Sequence, residues 1–371
     1  MKRRQIILGL FVLTALVALF LWGRHKFHFD SAVFRAQLAQ ADWIKIAVGA
    51  ACIYLAYVFR SARWAMLLKH NKRVSPFSLM GTQMIGFTAI ALIGRVADPV
   101  RPYLVSKKTG LPLANQIAVY IVERLFDMGS MALVFSIAML SVPDAEIIRA
   151  MSHSHIVSTL EKSHSPEIAA IFARYSGLAL TLLGALFLVA VRLAGPAVAA
   201  FFERTLGLVS KKLGHAVAHK IHLFHSGLDT MRSFTDFAIT ASLSLAMWLL
   251  IALSYFETCR AFAASHELAT LSPSHSVLLM IASGGASIFQ LPVLGWFTQI
   301  GIVAVAISGL FGASNEAAMA CAATLLLVTF LSVIPLGLIW AQFEHVNLRK
   351  VTAESEQAEE SLPPEPTGAA D

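Results

Sequence analysis

Two short runs carry charge where the rest of the chain is oily. The first is Gly94-Arg95-Val96-Ala97-Asp98-Pro99-Val100-Arg101-Pro102-Tyr103, and the second is Val122-Glu123-Arg124-Leu125-Phe126-Asp127. Arginine presents a planar fork of donors that matches the oxygens of a phosphate, so Arg95 and Arg101 are candidates to hold one. Glu123 and Asp127 are four residues apart and share a helix face, while Arg124 and Asp127 are three apart and can pair. Glu123 is then left seeking a cation, with Arg95 or Arg101 nearby in sequence. The chemistry on offer is anion binding, with Glu123 or Asp127 carrying a proton or tuning the arginines. A static salt-bridge cluster that locks the first run to the second uses the same residues, and the two roles are compatible.

The surroundings of these runs set what must position them. The chain has 371 residues, of which 57% are hydrophobic and 14% charged, against roughly 25% charged in an ordinary soluble domain. Its apolar runs reach about 17 to 25 residues, the length that crosses a bilayer as a helix. They are continuous rather than alternating, which argues against a β-barrel. The fold class is an all-α polytopic membrane protein. An ionisable residue at mid-bilayer costs about 2.5–3.5 kcal/mol on insertion scales, so three in one helix cost on the order of 8–10 kcal/mol before pairing. Those charges need partners or water.

Along the chain, Lys2-Arg3-Arg4 precede an apolar run, Ile6 to Trp22, that reads as an uncleaved first span with a cytoplasmic N-terminus. A second span covers about Trp43 to Phe59 and exits into Arg60, Arg63, Lys69, Lys72 and Arg73, a basic cluster that fits a cytoplasmic loop. Phe77 to Ile93 is apolar but interrupted by Gly81, Gly86, Thr82, Gln83 and Thr88. A hairpin that dips in and returns keeps Lys107 and Lys108 on the cytoplasmic side, and Pro99 and Pro102 suit a broken helix there. Asn115 to Val142 is a long span, and Ile168 to Leu193 returns.

A basic loop, 195–236, follows. It contains an amphipathic helix with Leu213, Val217, Ile221, Phe224, Leu228 and Met231 at helical spacing, suited to the cytoplasmic membrane surface. Phe237 to Thr258 spans outward. Ser276 to Leu294 is a second interrupted segment, followed by Trp296 to Phe311 and Ala317 to Gln342. Three full crossings at this point give the same parity as a hairpin and one span, and the sequence allows either. The expectation is about six full spans plus two re-entrant or broken hairpins, in a membrane domain covering 1–345. One interrupted segment in each half is the pattern of an inverted repeat with its site at the repeat interface.

In the second half, Gln290, Pro292, Gly295 and Gln299 form the matching polar patch, read either as head-group hydrogen bonding or as a capped helix break. The residues after 345 hold six acidic side chains beyond Ala353 and read as a disordered tail, 346–371; without those six, 29 basic residues face 16 acidic ones. In a membrane protein that excess marks loops facing anionic lipid rather than nucleic acid. Cys52, Cys259 and Cys321 show no metal or disulfide spacing and read as small buried side chains. His215, His219, His222 and His225 lie on one helix with no Cys and only Asp229 as a close carboxylate, so they read as surface rather than metal ligands. No cofactor is expected.

At the charged runs the chain resembles a known family. Gly94-Arg95-x-x-Asp98-x-x-Arg101-x-Tyr103-Leu104, then Thr109-Gly110-Leu111-Pro112-Leu113, then Glu123-Arg124-x-x-Asp127 is similar to the signature of the flippase-like integral membrane family, the transmembrane region of lysylphosphatidylglycerol synthases. The resemblance extends over about residues 5 to 345. Members often carry Glu where this chain has Asp98, and a Glu near the position of Gln299, which cannot act as a base. The resemblance implies a translocase or handler of lipids in a bacterial cytoplasmic membrane. Aminoacyl transfer is not expected, because a tail of about 20 polar residues is too short to build a core for it.

The function expected is therefore a lipid translocase. Its partners are membrane lipids, either an anionic phospholipid or a polyprenyl-phosphate-linked one. Its site comprises Arg95, Asp98, Arg101, Tyr103, Glu123, Arg124, Asp127, Gln290 and Gln299. The rival readings are a membrane glycosyl- or phosphotransferase and a non-catalytic subunit that presents lipid. No Gly-x-Ser-x-Gly, phosphate-binding Gly loop or Asp-x-Asp pair supports the enzyme.

Overall fold

A computed structural model describes residues 30–143, 166–208, 233–286 and 294–360, with scattered positions between 210 and 221. The expected first span, Ile6 to Trp22, and most of the expected amphipathic helix lie outside the described residues. Among those described, every regular element is helical. In order they are α1 (Ser31–Ala39), α2 (Trp43–Leu68), α3 (Pro76–Ile93), a short 3-10 turn (Arg95–Ala97), α4 (Val100–Thr109), α5 (Leu113–Leu140), α6 (Pro166–Gly207), α7 (Phe234–Arg260), α8 (His266–Ala269), α9 (Pro273–Ala286), α10 (Leu294–Phe311), α11 (Asn315–Leu326), a π turn (Leu327–Leu331), α12 (Val333–Phe343) and α13 (Leu348–Glu360).

Local chemistry starts and stops these helices. The Asp42 carboxylate accepts from the Ile44 and Lys45 amides at the head of α2, and Ser233 and Ser314 cap α7 and α11 in the same way. Pro76 opens α3, where its missing N–H costs nothing. Gly94 at φ 94° ends α3, and Gly110 at φ 72° ends α4. These backbone angles favour glycine. Within the helices, buried hydroxyls such as Ser61, Thr240 and Ser244 donate to carbonyls four residues back, which satisfies them inside the packed interior.

Four described helices are long and apolar enough to cross a membrane: Trp43–Leu68, Pro76–Ile93, Phe234–Arg260 and Asn315–Phe343, the last running through the π turn. α5, with 28 residues, is as long and carries the charged run. Large apolar side chains on the outside, among them Ile44, Phe77, Phe297 and Val305, are exposed, as lipid contact requires.

α2 and α7 pack lengthwise and antiparallel. At one end Lys69 and His70 meet Asp236, and at the other the Lys45 ammonium donates to the Arg260 carbonyl. Gly49 lets the two helices approach, since a Cβ there would lie 2.7 Å from Thr258 Oγ1. The chain leaves α2 at the basic end and enters a hairpin of α3 and α4. It returns to that same end, where Lys72 Nζ donates to the Thr109 carbonyl at 2.6 Å. α3 therefore has the length of a span, but the chain does not stay across.

The chain leaves α7 at the opposite end and enters a second hairpin, α9 and α10. Gln299 bonds Ser283 near its tip, and the His275 and Phe311 rings meet at its open end. Each half thus reads span, hairpin, span: α2, α3–α4, α5, then α7, α9–α10, α11–α12. The second copy is inverted with respect to the first.

Several expectations need correcting. α3 is one unbroken helix: Gly81, Thr82, Gln83, Gly86 and Thr88 are all buried packing positions. α2 continues past Phe59 to Leu68, because Trp64, Leu67 and Leu68 extend its apolar face. The loop expected from Gly195 begins as helix, since α6 kinks at Ala194 and continues through Pro196 to Gly207. The tail expected to be disordered from 346 is helical from Leu348 to Glu360. Its Glu, Ala and Gln residues favour helix. Val351, Thr352 and Ser355 are buried, and Glu354 accepts from Tyr103 and Lys107 of the first hairpin.

Candidate functional site

The charged runs meet in the space between the two hairpins. α2 contributes Arg60, Arg63 and Trp64, three and four residues apart and so on one face. α5 contributes Glu123, Arg124 and Asp127 by the same rule. The returning helix of the first hairpin, α4, contributes Arg101.

Glu123 is the hub. Arg101 Nη2 reaches both its oxygens at 2.8 and 2.9 Å, Arg63 Nη2 lies at 3.0 Å and Arg124 Nη2 at 2.8 Å. Asp127 takes Arg63 Nη1 at 2.6 Å and Arg124 Nη2 at 3.2 Å, with the Trp248 indole N–H at 3.4 Å. Gln83 accepts from Arg101 Nε and Nη2 at 2.9 and 2.7 Å. Gly86 makes room for the Arg101 stem: a Cβ there would collide with Arg101 Cγ and lie 3.2 Å from Cδ. Arg63, Arg101 and Glu123 are at most 1% exposed. Charges this deep are tolerated because both carboxylates are ringed by guanidinium groups in hydrogen-bonded or ion-paired contact.

Arg60 differs from its neighbours. Its guanidinium lies 3.7 Å from Glu123 and over the Phe87 ring at 4.5 Å, and it makes no hydrogen bond among the described residues. It lines a cavity of about 230 Å³. Arg95, Arg101, Arg124 and Asp98 complete the same wall. Arg95 and Asp98 pair loosely at 3.9 Å at the tip of the first hairpin, where Arg95 is half exposed. The facing wall is Ser283, Gly284 and Gln299 of the second hairpin, with Tyr255 of α7 and Thr329 of the π turn. π turns recur at functional sites, where they re-aim side chains. The five arginines and three carboxylates of this centre leave an excess of positive charge, and the cavity is where that excess faces.

Of the residues singled out in the sequence, Arg95, Asp98, Arg101, Arg124 and Gln299 line the cavity. Glu123 and Asp127 stand behind it and fix the arginines. The expected contact between an arginine of the first hairpin and Glu123 is made by Arg101. Tyr103 is not at the cavity: its hydroxyl donates to Glu354 at 2.8 Å on the outer flank of the hairpin. α4 turns it there because Tyr103 lies two residues, about half a helical turn, from Arg101. Gln290 lies outside the described residues.

The sequence reading missed Arg60 and Arg63 by assigning them to a loop with Lys69, Lys72 and Arg73. The signal was present in Trp64, Leu67 and Leu68, whose helical spacing continues the span. Among the described residues no cluster of His, Cys, Asp and Glu could hold a metal.

Together these features define a multi-pass helical membrane protein with a cationic cavity between inverted hairpins. The family model described as "Lysylphosphatidylglycerol synthase TM region" matches residues 6–337, and the chain belongs to that family. Comparison with curated proteins gives no match, and comparison with solved structures gives none.

Proposed function

We propose that this protein moves an anionic lipid head group across the membrane, holding its phosphate at the arginine wall. The observation that carries this reading is the cavity lining: Arg60, Arg95, Arg101 and Arg124 against a single carboxylate, Asp98. Arg101 spends Nε and Nη2 on Gln83 and Glu123, so it tunes and places the wall. Arg60 brings a guanidinium with no hydrogen bond of its own among the described residues and is the principal phosphate ligand, with Arg95 at the rim. A volume of about 230 Å³ suits a head group and leaves the acyl chains in lipid. The cavity lies between hairpins that enter from opposite ends, and rocking of either hairpin against the spans exposes it to one side at a time. The bilayer is the bacterial cytoplasmic membrane, and the end carrying Lys69, Lys72, Arg73, Lys107 and Lys108 faces the cytoplasm by the charge rule.

The test is lipid movement in vesicles reconstituted with the full chain and a head-group-accessible fluorescent anionic lipid. Arg60→Ala is expected to reduce the protein-dependent rate by about tenfold or more, as loss of a charge-assisted contact does. An unchanged rate in a correctly inserted variant overturns the proposal. Formation of a covalently altered lipid by the purified protein would overturn it in favour of an enzyme.

A further inference from the structure

The wall opposite the arginines has its own chemistry. From Pro273 to Phe311 the second hairpin contains no Asp, Glu, Lys or Arg. What it turns to the cavity is neutral and polar: the Ser283 hydroxyl and the Gln299 amide, next to the Tyr255 and Thr329 hydroxyls. These groups are organised. Gln299 Nε2 donates to Ser283 Oγ at 2.7 Å, and the Tyr255 and Thr329 hydroxyls line the same wall beside them. The Gln299 side chain is 7% exposed, and its Oε1 has no partner among the described residues. A buried acceptor without a donor is costly to leave so, and a ligand hydroxyl or N–H relieves it.

Charge decides between those two donors. An ammonium in this cavity would face Arg60, Arg95, Arg101 and Arg124, and the one carboxylate in the lining, Asp98, is already paired with Arg95. Like charges in a partly dehydrated space repel strongly. A hydroxyl brings the donor without the repulsion. We infer that the lipid accepted here is a phosphodiester whose remaining head group is uncharged and rich in hydroxyls, such as a glycerol or a sugar, and that Gln299 and Ser283 are the residues that select it. This rests on the reading of the cavity as an anionic-lipid site. A glycerophospholipid and a polyprenyl-phosphate-linked sugar share the chemistry that this wall reads.

The experiment is native mass spectrometry of the delipidated full chain offered equimolar lipids. One mixture holds phosphatidylglycerol, an aminoacylated phosphatidylglycerol, phosphatidylethanolamine and phosphatidylcholine with identical acyl chains. A second adds a polyprenyl-phosphoryl hexose. The wild type is expected to retain phosphatidylglycerol, the hexose lipid or both about tenfold over the aminoacylated and ethanolamine lipids, and the second mixture says which source is preferred. Gln299→Glu, which places a carboxylate opposite the arginines, should shrink that ratio toward one. Gln299→Leu should lower retention of the hydroxylated lipids without raising that of the amine-bearing ones, which separates selection from misfolding. Equal or greater retention of the aminoacylated lipid by the wild type overturns the inference while leaving an anionic-lipid site standing. Equal retention of all lipids, unchanged by Arg60→Ala, overturns the underlying reading and the inference with it.

Discussion

The first hairpin, Pro76 to Thr109, carries Arg95, Asp98, Arg101, Lys107 and Lys108, whereas the second, Pro273 to Phe311, carries no Asp, Glu, Lys or Arg. The two are placed alike, each between a pair of long helices and entered from opposite ends. Their anchoring differs with their chemistry. Arg101 ties the first hairpin to α5 through Glu123, and Arg63 ties Glu123 back to α2. The second hairpin has Gln299 bonded to its own Ser283 and rests against α7 and α11 largely through apolar contact. A buried charge demands fixed partners, while a neutral polar group tolerates exchange of partners. The difference teaches that the first hairpin is fixed by buried charge pairs, whereas the second is held by apolar contact and one neutral hydrogen bond.

The largest expected effect comes from breaking the hub. Glu123→Ala leaves Arg101, Arg63 and Arg124 without their common acceptor, and loss of one partner from a buried charge pair costs about 3–5 kcal/mol. Gln299→Leu, the corresponding lesion in the second hairpin, should cost about 1 kcal/mol, the worth of one neutral hydrogen bond. Thermal unfolding in detergent compares the two directly, and equal losses would break the contrast between a charge-anchored and an apolar-packed hairpin.

Glycines give a second, smaller contrast. Gly86→Ala drives a methyl into the Arg101 stem, and overpacking of this kind costs about 1–3 kcal/mol. At Gly301 in α10 a Cβ meets nothing within 4 Å, so Gly301→Ala should be neutral or stabilise by up to about 1 kcal/mol through helix propensity. Destabilisation by Gly301→Ala comparable to that of Gly86→Ala would mean that the second hairpin is packed as tightly as the first.

Legibility in the sequence divides along the same line. The first hairpin was readable because charge inside apolar sequence is expensive, so Arg95 or Arg101 was expected beside Glu123, and Pro99 with Pro102 marked a broken helix. The inverted plan followed from one interrupted segment per half. The second hairpin's wall was only partly readable: Gln299 stood out, but Ser283, Tyr255 and Thr329 look like ordinary polar residues in helices until three elements bring them together. Arg60 and Arg63 were misplaced for a different reason. The charge rule counts cations near a span end and does not see that two of them lie on the face that turns inward. The helix at 348–360 was hidden because an acidic, polar tail reads as solvated chain, and its docking to Tyr103 and Lys107, more than two hundred residues away, is not visible in composition.

That helix gives the smallest effect and the most specific test of how the first hairpin is held. The Lys107 ammonium and the Tyr103 hydroxyl bond the Glu354 carboxylate at 2.9 and 2.8 Å and hold its pKa below the ordinary 4.5. A carboxyl whose pKa is lowered in the folded state contributes stability above its unfolded value and loses it as pH falls through the folded one. Acidification below about 4.5 should therefore loosen α13 from α4 before the buried hub responds. Hydrogen–deuterium exchange should show faster exchange at 348–360 while α2 and α5 stay protected, and Glu354→Gln should show the same loosening at neutral pH. If α13 exchanges at the same rate in wild type and Glu354→Gln, the strap is held by Val351, Thr352 and Ser355 alone. The first hairpin would then owe its fixed position to the arginine hub and to its other ties, Lys72 to the Thr109 carbonyl and Lys108 to Glu344.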